Sequence, residues 1–241
     1  MRKGLLIFMV MLSSAVMAQK GVTTFGIQVK PLIPNSYFNF SDETKTSVDG
    51  SLSSKWAPRA SLNFGMVIRK GLSKAISVET GINLVRRNYT VESVDQGLGI
   101  NNDIKFSFTG YEIPIQGLIY VRLDERWWMN GSAGVSIDMY PSNTFASKSE
   151  FQDGTFYDFS VRTVKSSWLQ LAIQANYGFE FRSKDSGYFY LGASYHRPFS
   201  DFASSEVTYE YDLERIITFN RLSGTYFTLD FRYFFNEKPE R

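Results

Sequence analysis

Residues 169–182 of the chain read LQLAIQANYGFEFR, and this stretch decides the class of fold. Its odd-numbered positions are apolar or aromatic, whereas its even-numbered positions are polar or small. Because successive side chains of a β-strand point to opposite sides, the alternation predicts a strand with one apolar face and one polar face. A helix of the same sequence would scatter the apolar residues around its whole circumference.

The same alternation recurs along the rest of the chain. Seven more stretches show it, at residues 25–29, 60–68, 76–84, 111–121, 129–139, 189–195 and 227–233. These stretches are near the ~9–11 residues that a tilted strand needs to cross a bilayer. Together with residues 169–182 they predict an all-β fold, a closed antiparallel transmembrane β-barrel of eight strands.

The connections between the predicted strands alternate in length. Long connections cover residues 31–57, 88–106, 141–166 and 198–223, and short ones cover 70–74, 123–126 and 183–187. Outer-membrane barrels have long extracellular loops and short periplasmic turns, so this order predicts that both termini are periplasmic. Turn signals predict hairpins inside the last two long connections. We expect strands 5 to 8 to extend beyond the membrane as ribbons.

The strands of a soluble eight-stranded barrel would also alternate between apolar and polar residues. The positions of the lysines help to distinguish a soluble barrel from a transmembrane one. Water-facing sheets usually carry many lysines, yet here every lysine after residue 18 lies at a predicted strand end or in a connection. These are Lys20, Lys30, Lys45, Lys55, Lys70, Lys74, Lys105, Lys148, Lys165, Lys184 and Lys238. The pattern favours a barrel whose apolar face meets lipid and whose polar face fills a narrow lumen. The soluble barrel stays open as the alternative.

The first 18 residues have the pattern of a secretory signal peptide. Arg2 and Lys3 precede an apolar run at residues 5–12, and Val16, Met17 and Ala18 form a small-residue cleavage pattern before Gln19. We therefore expect residues 19–241 to form the outer-membrane β-barrel domain. Arg2 and Lys3 account for the excess of 26 basic over 24 acidic residues, so charge does not indicate nucleic-acid binding. The chain has no cysteine, which excludes disulfides and thiolate metal sites.

One motif resembles a known family. Residues 110–116, GYEIPIQ, are similar to the Y-x-E-I-P stretch of the PorT-like outer membrane β-barrel proteins of the Bacteroidota. The resemblance implies an eight-stranded barrel along the whole chain after residue 18, and one branch of that family assists protein secretion. Residues 225–235, TYFTLDFRYFF, resemble the aromatic last strand that is read by the barrel-insertion machinery. They depart from it because the chain continues to Arg241.

Charged residues fall on the predicted lumen face of several strands. We expect those near the periplasmic strand ends to form a charge network: Arg69, Glu79, Arg122, Glu180, Arg182, Asp230 and Arg232. Lys30, Arg59, Arg87, Glu112 and Asp138 share the lumen face. An unpaired buried charge costs several kcal/mol, so these groups should pair and plug the lumen. The alternative is a path for protons or ions.

Other candidate sites give weaker signals. His196, the single histidine, shares a strand face with Ser194, but residues two apart lie ~6–7 Å from each other, too far for a direct nucleophile–base bond. We therefore predict no catalytic, metal or cofactor site. Aromatic residues are frequent in the loops, and they either cap the barrel or form a partner-binding surface. The candidates for that surface are Tyr37, Phe38, Phe40, Phe156, Tyr157, Tyr209 and Tyr211.

These observations predict a non-enzymatic outer-membrane barrel with a plugged lumen. It would act as a structural or interaction protein at the cell surface, including as an accessory subunit of an outer-membrane assembly or secretion complex. Its expected partners are outer-membrane lipids and other outer-membrane proteins, and not nucleic acid. A narrow channel for small solutes and a lipid-modifying enzyme are the alternatives.

Overall fold

The computed structural model describes residues 21–34, 45–73, 75–152, 154–183, 186–212 and 214–236. These residues form 14 strands, and every strand pair is antiparallel. The strands are β1 (Thr23–Pro34), β2 (Lys45–Asp49), β3 (Leu52–Arg59), β4 (Ser61–Gly71), β5 (Ile76–Asp95), β6 (Ile100–Arg122), β7 (Trp127–Met139), β8 (Thr144–Gln152), β9 (Thr155–Lys165), β10 (Leu169–Arg182), β11 (Tyr188–Pro198), β12 (Ala203–Tyr211), β13 (Glu214–Leu222) and β14 (Tyr226–Phe234). Among the described residues, no helix is long and apolar enough to cross a bilayer.

Eight of these strands close into a barrel. In order around the ring they are β1, β4, β5, β6, β7, β10, β11 and β14, and β14 pairs back with β1. Closure leaves no strand edge unpaired in the ring, which a spanning sheet requires because lipid offers no hydrogen bonds. The predicted eight-stranded antiparallel barrel is therefore confirmed. We call the end with the three short turns the turn end, and the opposite end the loop end.

The barrel wall is apolar outside and polar inside. Along β10, the exposed positions are apolar or aromatic, including Leu171 and Ile173, whereas Gln174, Asn176 and Glu180 are buried. Exposed aromatic rings lie near both ends of the wall, with Trp168 and Phe199 at the loop end. Trp127 and Phe181 pack together at the turn end, 5.2 Å apart. An apolar band between two aromatic girdles is typical of a barrel that crosses a bilayer.

Beyond the loop end, the chain forms a second body that we call the head. It consists of β2, β3, β8, β9, β12, β13 and the loop-end halves of β5 and β6. The strands β2, β3, β5 and β6 form one sheet, and β8, β9, β12 and β13 form another. The two enclose a core of Leu52, Trp56, Tyr89, Val91, Ile100, Ile104, Phe106, Phe108, Tyr140, Tyr157, Phe159, Val161, Phe202, Ala203, Val207, Tyr209 and Leu222.

The prediction about which strands continue beyond the membrane was wrong. β5 and β6, the third and fourth barrel strands, are 20 and 23 residues long and form the long ribbon. The later barrel strands have 9 to 14 residues. β7 ends at Met139, two residues before Pro141, and β11 ends at Pro198. The predicted hairpins in the last two long connections are present, and the hairpin of β2 and β3 was not predicted.

Candidate functional site

The lumen near the turn end holds a group of paired charges, which we call the turn-end ion cluster. Its members are Lys30, Arg69, Glu79, Glu180, Arg182, Asp230 and Arg232. Arg69 and Glu79 lie directly opposite each other on β4 and β5, with Nη2 3.0 Å from Oε2. The other guanidinium nitrogen of Arg69 reaches across the lumen to Glu180. The cluster therefore joins strands on opposite sides of the ring.

A second arginine continues the cluster toward β14. Arg232 pairs with Glu79 and with Asp230, whose Oδ2 lies 2.6 Å from Nη2 of Arg232. Lys30 Nζ lies 3.3 Å from the same carboxylate oxygen of Asp230. Arg182 Nε donates to Oε1 of Glu180 at 2.6 Å. Six of the seven residues predicted for the charge network thus lie in one cluster, together with Lys30, which lies inside β1 rather than at a strand end.

Arg122 does not belong to the cluster, and this prediction was wrong. Alternation assigns it to the lumen face, but it is the last residue of β6 and is exposed at the turn end. Its Nε donates to the backbone carbonyl of Asp124 at 3.1 Å. Its guanidinium carbon lies 5.8 Å from the ring centre of Trp128, and among the described residues it pairs with no carboxylate.

Uncharged polar side chains fill the lumen above this cluster. Gln116 donates to Oε1 of Gln174 at 2.8 Å and accepts from Ser132 at 2.9 Å. On the other side, the Tyr190 hydroxyl donates to Oδ1 of Asn176. Tyr190 fits there because Gly178 and Gly192 have no side chains; a Cβ at either would lie within 2.5 Å of its hydroxyl oxygen. These contacts leave the middle of the lumen crowded.

A second charged group, the loop-end cluster, consists of Arg87, Glu112, Asp138, His196 and Tyr226. Glu112 and Asp138 lie directly opposite each other on β6 and β7, so that two acids share one depth. Arg87 lies between them, with Nη2 3.2 Å from Glu112 Oε1 and 3.9 Å from Asp138 Oδ2. Tyr226 donates to the same oxygen of Glu112. Glu112 thus helps to close the lumen.

His196 belongs to this cluster and has no catalytic partner in Ser194. Its Nε2 lies 2.9 Å from Oδ2 of Asp138, and its Nδ1 lies 2.8 Å from Nε2 of Gln174. Ser194 instead donates to Asp230 at 2.6 Å. Ser194 and His196 therefore do not form with each other the hydrogen bond that a nucleophile and its base require.

Glu112, Asp138 and His196 also have the spacing of a metal site. Among the described residues, these three each offer one ligand atom, and the atoms lie within 4.8 Å of one another. However, the guanidinium of Arg87 already contacts both carboxylates. A divalent cation would lie against a fixed positive charge, so these residues do not fit a metal ion.

Aromatic rings of the head core, together with that of Tyr226, surround Arg87 at the loop end of the lumen. The guanidinium carbon of Arg87 lies 5.1 to 5.4 Å from the ring centres of Phe202, Tyr226 and Tyr140. Phe108 packs against Phe202 at 5.1 Å. These contacts join the head core to the top of the lumen.

Hydrogen bonds connect the two sheets of the head. Trp56 Nε1 donates to Ser205 Oγ at 2.9 Å, and the Thr218 hydroxyl donates to Ser54 at 2.7 Å. Both bonds are buried and join residues that are 149 and 164 positions apart along the chain. The head is therefore one packed body rather than a set of separate loops.

The predicted loop aromatics have different environments. Tyr157 and Tyr209 belong to the head core, and Tyr211 packs against it. Phe156 is 68% exposed and packs only on Phe151 among the ring contacts of the described residues, at 4.7 Å. Tyr37, Phe38 and Phe40 lie outside the described residues. Most of the described candidates thus build the head.

A buried acid stabilises the turn between β5 and β6 at the tip of the head. Asp95 accepts hydrogen bonds from the backbone N–H groups of Gly97 and Leu98 at 2.8 and 3.3 Å. Burial alone would raise the pKa of Asp95, but these bonds, together with one from Ser51, outweigh burial and lower it. Burial and the neighbouring Asp95 charge raise the pKa of Tyr209 above its usual value.

The closed ring, with its apolar outer surface and polar lumen, agrees with the protein family that the sequence matches. Residues 24–204 match the family model described as the outer membrane protein beta-barrel domain. The chain belongs to this family. An outer-membrane barrel explains why apolar side chains cover the outside of β10 while amides and ion pairs fill the lumen. The family assignment supports location in the outer membrane.

Solved structures of outer-membrane proteins are similar to this barrel. The outer membrane protein OprG from Pseudomonas aeruginosa superposes with a TM-score of 0.51 and 10% identity, covering 90% of this chain and 98% of that one. The outer membrane protease OmpT from Escherichia coli gives a TM-score of 0.31 and 8% identity, with 89% and 94% covered. At these identities the likeness to OprG concerns the fold alone, and the likeness to OmpT has no bearing on activity. No curated protein sequence matches the chain.

Proposed function

We propose that this protein is a non-enzymatic outer-membrane barrel with a plugged lumen, which acts at the cell surface through its head as a structural or interaction protein. The observation that carries the proposal is the filling of the lumen. Contacts within the two ion clusters connect opposite walls of the ring, and a layer of amides lies between the clusters. The interior of an eight-stranded barrel is only wide enough for its side chains, so little space remains for a solute.

The plug predicts that the barrel does not conduct ions. Opposite charges 4 Å apart attract by ~4 kcal/mol at an effective dielectric constant near 20, so a water path requires several such pairs to separate together. Single-channel recording in planar bilayers tests this, with the Glu180→Gln/Asp230→Asn double variant beside the wild type. We expect a silent wild type and a variant that leaks or folds poorly. Steady conductance from the wild type would favour the narrow channel instead.

The proposed surface role requires the head to lie outside the cell. The long loops and short turns support this orientation. Because the chain has no cysteine, single cysteines can report it directly. We expect Leu98→Cys, in the head, to react with a membrane-impermeant maleimide in intact cells, and Ser73→Cys, at the turn end, to react only after lysis. The reverse pattern would place the head in the periplasm and refute the surface role.

Exposed aromatic rings on the hairpin of β8 and β9 support the interaction role. Phe145, Phe151 and Phe156 are 67%, 63% and 68% exposed, and exposed apolar groups of this kind are typical of contact surfaces. The proposed partner is another outer-membrane protein, in an assembly or secretion complex. Co-purification from native outer membranes should lose its partner in the Phe151→Ser/Phe156→Ser variant and keep it in a Lys105→Ser control. Equal recovery from both variants would exclude this hairpin as the contact.

A further inference from the structure

A pocket opens at the turn end of the barrel, and the proposed function does not use it. Its volume is about 880 Å³, within the usual range of roughly 300–1,000 Å³ for small-molecule sites. Arg69, Tyr120, Arg182 and Tyr188 line it, together with backbone of the turn after β4. Arg69 and Arg182 also belong to the turn-end ion cluster. A molecule in the pocket would therefore touch the cluster directly.

The cluster at the inner end of this pocket has more positive than negative groups. Among the described residues, Lys30 and three arginines pair with three carboxylates. The cation nearest the opening is Arg182, whose side chain is 31% exposed, whereas that of Arg69 is 6% exposed. In the described part of the chain, Arg182 forms its ion pair to Glu180 through Nε alone. The guanidinium edge therefore keeps donors for a further acceptor.

Aromatic rings hold this guanidinium in a defined place. Its carbon lies 4.4 Å from the ring centre of Trp128 and 5.2 and 5.3 Å from those of Tyr188 and Tyr120. Rings that contact the face of a guanidinium leave its planar edge free to form paired hydrogen bonds to an oxyanion. The site is thus prepared for a ligand before one binds.

Tyr120 provides a second, independent indication of a ligand. Its hydroxyl is buried and has no hydrogen-bond partner among the described residues, and the residue is 7% exposed. A buried hydroxyl without a partner is destabilising by ~1–3 kcal/mol, so such groups are uncommon without a water or ligand. Tyr120 lines the same pocket as Arg182. A bound acceptor could satisfy both side chains.

We propose that this pocket binds a small oxyanion, a carboxylate or a phosphate. The anion accepts hydrogen bonds from the guanidinium edge of Arg182 and from the hydroxyl of Tyr120. Arg69, held by Glu79 and Glu180, adds electrostatic attraction without moving. The volume of the pocket leaves room for an apolar group attached to the anion, against the rings of Tyr120 and Tyr188.

Isothermal titration calorimetry on the full-length protein in a neutral detergent tests the proposal. The probes are inorganic phosphate and benzoate, titrated separately at low ionic strength. We expect saturable binding of at least one of them. Arg182→Gln should weaken it tenfold or more, because a charge-assisted bond is lost. Tyr120→Phe should weaken it about threefold or more, because the hydrogen bond from the tyrosine hydroxyl to the anion is lost.

The matched control is Arg122→Gln, which removes an exposed arginine at the same end of the barrel but outside the pocket. It should leave the affinity unchanged. Equal weakening by Arg122→Gln and Arg182→Gln would mean diffuse charge attraction and would overturn the site, as would the absence of saturable binding to the wild type. If Arg182→Gln fails to fold, Tyr120→Phe decides, and unchanged affinity in that variant refutes the proposal.

Discussion

Replacing Glu180 by glutamine should destabilise the barrel more than any loss of a surface charge. Glu180 is fully buried and pairs with both Arg69 and Arg182. Glutamine keeps the shape but removes the negative charge between two guanidinium groups. Breaking a buried ion pair by removing one partner costs ~3–5 kcal/mol. Because Arg182 can regain water at the pocket, we expect about 3 kcal/mol, near the lower end of that range.

The measurement is urea unfolding of the barrel in lipid vesicles, followed by tryptophan fluorescence. The folded fraction can be checked by the faster migration of unheated barrels on SDS gels. The matched control is Glu92→Gln, which removes an exposed pair with Lys55 whose side chains are 52% and 49% exposed. Such a pair contributes about 0–1 kcal/mol.

A double variant separates ion pairing from a general packing defect. If the ion pair explains the loss, the double variant Arg69→Gln/Glu180→Gln should lose less stability than the sum of its two single variants. Once one charge of the pair is gone, removing the other no longer breaks an ion pair. Additive losses would contradict the coupling. If Glu180→Gln loses no more stability than Glu92→Gln, the reasoning about the turn-end ion cluster is wrong.

Three further predictions concern the wall and the head. Ile173→Arg should cost ~2–4 kcal/mol of barrel stability because the side chain at this position faces lipid. Leu98→Arg, at an exposed position on the head tip, should be nearly neutral. Urea unfolding in vesicles measures both, and equal effects would contradict a lipid-facing wall. Trp56→Ala should destabilise the head by ~3–5 kcal/mol, seen as rapid proteolysis of the head from a barrel that still migrates as folded; an unchanged digestion pattern would contradict the packed core. The lowered pKa of Asp95 stabilises the head above the unfolded carboxyl value of about 3.9, and this contribution is lost as pH falls through the folded-state pKa. Acid should therefore increase proteolysis of the wild-type head more steeply than that of Asp95→Asn, and parallel pH profiles would contradict the role of Asp95.

The alternation of apolar and polar residues determined the barrel wall without any knowledge of the structure. Period-two patterning is local, so residues 169–182 by themselves predict which side chains of β10 face lipid and which face the lumen. The long and short connections determined the positions of the turns in the same way. Both features are local along the chain, so they can be predicted directly from the sequence.

Only the tertiary structure decided which lumen residues meet. Alternation assigns Arg122 and Arg182 to the same face, yet Arg122 is exposed and donates to a turn carbonyl, whereas Arg182 pairs with Glu180. Depth in a barrel depends on strand tilt and stagger around the ring, which no single strand encodes. The head likewise depends on contacts such as that between Trp56 and Ser205, which join distant parts of the chain. No periodic pattern in the sequence predicts such contacts, because they form only when both sheets of the head are in place.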